Sequence, residues 1–165
     1  SHEILHLLLH CKGFPIFHWH SIDDDYFGSA IDSAIHHPEI IKFQKVSMKI
    51  DPYPFIIFDI KHNKKHACKI KYVGYKNIEE NCRIKTIIFL ADRLNWGIDH
   101  ADFKQAVRAY KQGYPGGYEK ALKIADIIRS FLKTHDYKNC EECLLEICDI
   151  LEISLSYHIT YIIPY

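Results

Sequence analysis

Ile4-Leu5-His6-Leu7-Leu8-Leu9-His10, the break Cys11-Lys12-Gly13, and Phe14-Pro15-Ile16-Phe17-His18-Trp19-His20 open the chain. Each apolar run is short and alternates little, so a buried strand and a short helix compete for it. Gly13-Phe14-Pro15 is a turn signal, and with a turn there the two runs read as a β-hairpin. A hairpin at the start makes the first half sheet-rich.

The rest of the first half follows from that reading. Ser21 with Asp24 has capping-box spacing, and Asp23, Asp24 and Asp25 sit where a helix N-terminus favours anions. Phe27, Ala30, Ile31, Ala34 and Ile35 form one helical stripe, and Pro38 is expected to end it. Ile41 to Ile50 then reads as a bulged strand and Phe55 to Ile60 as a central strand. Lys61 to His66 is a polar hairpin tip, and Cys68, Ile70 and Tyr72 face inward on a further strand. Asn77 with Glu80 caps a helix carrying Ile84, Ile87, Ile88, Ala91 and Leu94, although Ile84 to Leu90 also fits a buried strand.

The second half reads as helical. A short helix starts near Ala101, and a longer one runs from Tyr118 to about Lys133 after the loop Gly113 to Gly117. Another spans Cys140 to about Ile150. From Leu151 the chain alternates: Leu151, Ile153, Leu155, Tyr157, Ile159, Tyr161 and Ile163 share one face, and Ser154, Ser156, His158 and Thr160 the other. That is a half-buried strand, and it needs a sheet to join.

The expected fold is therefore one α+β domain over 1–165, with a mainly antiparallel sheet of about six strands. Its parts are a sheet-rich core (3–95), a helical segment (96–150) and a C-terminal strand (151–163) returning to the N-terminal strands. The order β-β-α-β-β-β-α of the first 95 residues resembles small sensor and scaffold modules of the PAS and profilin-like kinds. It carries no functional residue across.

Composition narrows the function. The chain has 165 residues, 21 basic and 21 acidic, and 48% are hydrophobic. That is a globular composition, and zero net charge argues against a dedicated nucleic-acid binder. No run of 18 apolar residues predicts a membrane span, and no signal peptide is visible. Six cysteines then read as reduced thiols, so a cytoplasmic location is expected. No phosphate loop, dinucleotide fingerprint, nucleophile elbow or HExxH occurs, so no cofactor is expected.

The chemistry-bearing patterns are few. His135, Cys140, Cys143 and Cys148 have zinc-clamp spacing. Glu141 and Glu142 work against thiolate formation there, and Cys140, Leu144, Ile147 and Leu151 fit a core stripe, so core thiols are the favoured reading. On the expected hairpin, His18 and His20 share a side with His6 and His10, four imidazoles that suit a transition metal. His36-His37 would need an aspartate partner to make a hydrolytic site. Arg129 and His135 have a spacing that resembles some helical ribonucleases.

Three functions follow as expectations. The first is a non-enzymatic binding or regulatory protein, such as an immunity or inhibitor protein, with a protein partner at the basic tip (Lys61, Lys64, Lys65) or the acidic helix (Glu141, Glu142). The second is a small hydrolase or nuclease using His18, His20, Asp23, Asp92 and His135, which would have to converge on one pocket. The third is a small-ligand sensor.

Overall fold

The computed structural model describes residues 2–51 and 79–162. It is mainly helical, with six helices, 73% helix and a single two-stranded antiparallel sheet among those residues. In chain order they are α1 (His2–Cys11), β1 (Ile16–Trp19), α2 (Ile22–Val46), α3 (Glu80–Asn95), α4 (Ala101–Gly113), α5 (Pro115–Thr134), a 3₁₀ turn (Tyr137–Asn139), α6 (Cys140–Leu151) and β2 (Tyr157–Thr160).

The expected six-stranded α+β sheet is thus corrected, and three local outcomes explain why. Ile4 to His10 is helix α1, not a strand. Its residues are mostly leucine, a good helix former, and Leu5 and Leu9 bury one turn apart. The chain does break at Gly13, at φ +106, but the break ends a helix where a hairpin turn was expected. Phe14 N donates to Leu9 O (3.2 Å) and Gly13 N to His10 O (3.0 Å), the paired bonds of a left-handed helix end.

The second outcome concerns α2, which runs through Pro38 to Val46, so Ile41 to Ile50 is not a strand. An interior proline costs about 3 kcal/mol. Ile40 and Ile41, both buried, are worth about 1.5–3 kcal/mol each once packed, which offsets it. The helix start is as expected: Ser21 Oγ accepts from Asp24 N (3.0 Å) and donates to Asp24 Oδ2 (2.7 Å).

The third outcome is that the alternating C-terminus contributes only Tyr157–Thr160 as strand. It does return to the N-terminal strand, pairing Ile16 with Thr160, Phe17 with Ile159, His18 with His158 and Trp19 with Tyr157. The alternation survives in burial: Ile153, Leu155, Tyr157 and Ile159 are half-buried, and Ser154, Ser156, His158 and Thr160 are exposed. With α1 a helix and α2 running on to Val46 through the expected strand, the PAS-like and profilin-like element order falls as well. The expected strands at 55–60 and 68–72 and the tip residues Lys61, Lys64 and Lys65 lie outside the described residues.

The second-half helices stand close to their expected bounds, and 84–90 is helix within α3. The expected loop 113–117 shrinks to Tyr114, because Gly113 ends α4 and Pro115 to Gly117 form the first turn of α5, where proline is favoured. In place of the expected Asn77–Glu80 cap, α3 has Glu79 at its cap position with no side-chain cap bond. The main core is contiguous. Ile31 and Ile35 of α2, Ile88 and Ala91 of α3, Ile124 and Ile128 of α5, and Leu144 and Ile147 of α6 supply fully buried side chains to it.

Candidate functional site

Packing α2 against α3 leaves a groove of about 370 Å³ between them. Asp25, Ser29, Ser33 and His37 lie four residues apart along α2, so they form one stripe down its wall. Lys85, Phe89, Asp92 and Arg93 line the α3 side. Helical periodicity alone sets both rows.

The centre of the groove is Asp92. It is 2% exposed and accepts three hydrogen bonds: from His37 Nδ1 (2.8 Å), Arg93 Nη1 (2.5 Å) and Trp96 Nε1 (2.6 Å). A buried carboxylate is tolerated when it is saturated in this way. Because Nδ1–H is given to Asp92, the neutral His37 ring carries its lone pair on Nε2. The imidazole edge also meets Trp96, 5.5 Å between ring centres, which fixes its plane. The His37 side chain is 14% exposed.

Cations flank this pair. Lys85 Nζ stands 3.7 Å above the Tyr26 ring, and the Arg93 guanidinium lies over Trp96 at 4.5 Å and over Phe89 at 5.0 Å. The aromatic faces hold both cations in place, and the Arg93 charge is also paired with Asp92. Ser29 Oγ donates to Asp25 Oδ1 (2.6 Å). The groove therefore joins a carboxylate-oriented imidazole, two positive charges and two serine hydroxyls.

The residues singled out from sequence are spread over several places. Asp92 is in the groove. Asp23 is exposed in the first turn of α2. His18 and His20 lie on the outer face of the sheet. The His18 ring stacks on His158, 4.6 Å between centres, with Nε2 bonded to Thr160 Oγ1 (2.9 Å). His20 bonds Ser156 Oγ (2.7 Å) and His158 Nδ1 (3.3 Å). His6 and His10 do not join them: they are on α1, and both rings meet His36. The imagined four-imidazole face is therefore divided between two sites.

His135 is exposed past the end of α5, at φ 54, and its ring faces Tyr137 at 6.5 Å. Arg129 of the same helix bonds Asn95 Oδ1 (3.0 Å) and Asp126. Cys140, Cys143 and Cys148 are all buried on the inner face of α6. Burial pushes Cys143 up to about 12 and Cys148 up to about 11, and raises Cys140 as well, so these thiols stay protonated at neutral pH. Among the described residues no group of three or more His, Cys, Asp or Glu is placed to hold a metal. Glu141 accepts from Tyr157 Oη (3.1 Å), and Glu142 lines a groove between α5 and α6.

Sequence reading had named both halves of the groove pair, His37 and Asp92, without joining them. They are 55 residues apart, and only the α2–α3 packing brings them together. Ser29, Ser33 and Lys85 were missed, and the four-residue stripe from Asp25 to His37 is the pattern that pointed to the first two. Among the described residues no helix is long and apolar enough to cross a membrane. No family model, curated protein or solved structure matches this chain.

Proposed function

We propose that the chain is a small hydrolase of an anionic ester, a phosphate ester in the first instance, working in the α2–α3 groove. The observation that carries this reading is the His37 Nδ1–Asp92 hydrogen bond of 2.8 Å inside a groove that also holds Lys85 and Arg93. In this mechanism Nε2 of His37 takes a proton from water as the oxygen attacks the ester. The imidazolium then returns that proton to the departing alkoxide. Asp92 keeps the tautomer and stabilises the imidazolium. Lys85 and Arg93 offset the charge that grows on the substrate oxygens.

The test is hydrolysis of bis(p-nitrophenyl) phosphate and p-nitrophenyl phosphate by the purified chain. His37→Gln should lower turnover by about 10²-fold or more. Lys85→Ala should lower kcat and kcat/KM together, since its charge acts on the transition state. Turnover that is equal in the His37→Gln variant, or absent throughout, overturns the proposal.

A second reading is a binding protein that docks a basic segment of a partner. It is supported by the α5–α6 groove, where Asp126, Glu142 and Glu146 stand around Ile127 and Phe131. Glu142 and Glu146 are four residues apart on one helix face, a repulsion that a cationic partner would relieve.

A further inference from the structure

His36 is the most enclosed polar side chain of the described residues, at 0% exposed. Its Nδ1 is 3.1 Å from Nδ1 of His6. Its Nε2 is 3.6 Å from Asp32 Oδ1, and neither of those two atoms has a hydrogen-bond partner among the described residues. Phe14 stands edge-on to the ring at 4.7 Å, and His10 lies 5.3 Å away between ring centres. His6 also reaches His37, at 5.5 Å. Four imidazoles from two helices thus share one half-enclosed nest, and buried polar groups left unsatisfied ask for a role.

The His6–His36 contact sets a rule on protons. At 3.1 Å one nitrogen must donate and the other accept, so at least one of the two rings must lack a proton on Nδ1. Two imidazolium rings would face each other hydrogen to hydrogen, with like charges in a low-dielectric site. The bond that ties α1 to α2 at this point therefore requires neutral histidine.

We propose that the His6–His10–His36–His37 nest is an acid-sensitive latch, holding α1 on α2 at neutral pH and releasing it as the imidazoles gain protons. Burial, and then His6, His10 and His37 in turn, hold His36 well below its usual range. Its contribution to the docked state is therefore present above about pH 6.5 and lost as the pH falls.

Every charged neighbour must be counted. From α1 these are His6 and His10, and from α2 they are His37 and Asp32. From α3 there is Asp92 behind His37, and from α6 there is Cys140, which senses Asp32. Asp32 is pushed up to about 7 by burial, so it is largely protonated just when the imidazoles charge. It cannot then serve as their counter-ion. By itself its linkage runs the other way, favouring the folded state in acid, so it blunts the latch without closing it. The latch does not rest on the hydrolase reading.

The experiment is hydrogen exchange of the whole chain, read as protection factors in α1, α5 and α6 from pH 7.5 to 5.0. Protection in α1 should fall at least tenfold while α5 and α6 keep theirs. His36→Phe, matched to its aromatic surroundings, should leave α1 protected at pH 5.0, and Asp32→Asn, which removes the opposing linkage, should deepen the fall in α1 protection between pH 7.5 and 5.0. Should His36→Phe fail to fold, His6→Gln supplies the same arm, since an amide keeps one fixed donor and acceptor set at all pH values. Unchanged α1 protection in acid overturns the latch. So does loss of α1, α5 and α6 together, or a wild-type response in the substituted chains.

Discussion

Asp32 shows how a single side chain can carry a cost. It is 24% exposed, yet Oδ1 is shut in without a hydrogen-bond donor among the described residues. Burial lifts its proton affinity to about 7, with the nearby His37 charge pulling the other way. A carboxyl with a raised folded value stabilises the fold fully below about pH 3.8 and loses that contribution as the pH rises through 7. Asp32→Asn removes the ionisation and keeps the shape. The variant should match wild type near pH 4 and be more stable by roughly 1–3 kcal/mol at pH 8. Urea denaturation at the two pH values checks this, and an equal effect at both would refute it.

Among the elements, α5 is informative because of how it stops. His135 follows its last turn at φ 54, a conformation in which an L side chain crowds the backbone. Glycine is the residue that such helix ends prefer. His135→Gly should therefore raise stability by about 1 kcal/mol, measured as a shift in the thermal midpoint. It should leave the hydrolysis proposed for the α2–α3 groove unchanged, because His135 belongs to neither of its walls. A loss of stability would mean that the imidazole, through Tyr137, holds more than its backbone costs. The same scale explains α2: buried isoleucines on both sides of Pro38 make the helix continuous where local preference predicts a stop.

Across the whole molecule, the two ends of the chain are joined by the β1–β2 ribbon, and the ribbon is joined to the bundle at Gly28. A Cβ there would stand 2.6 Å from the Trp19 ring, so the indole lies this close to α2 because the position is glycine. Trp19 also packs on Phe17 and Tyr157, which spreads any displacement along the ribbon. Gly28→Ala should cost about 1–3 kcal/mol despite its better helix propensity. Thermal unfolding tests it: a neutral or raised midpoint would show that the indole moves aside freely.

Signals that act within a few residues could be read directly from the chain. The Ser21–Asp24 cap, the break at Gly13, the stripes of α3, α5 and α6, and the period-2 burial after Leu151 all stand as the residues implied. Each rests on local geometry or on the alternation of apolar side chains, which the sequence carries whole. Short apolar runs do not carry such a signal. Leu5 and Leu9 suit a helix or a strand until something covers them, and Ile40 and Ile41 outweigh Pro38 only once they are packed. The groove belongs to this second kind. His37 and Asp92 were visible as residues, but they are 55 positions apart, their bond depends on how α2 and α3 lie against each other, and burial free energy summed over the whole core selects that arrangement.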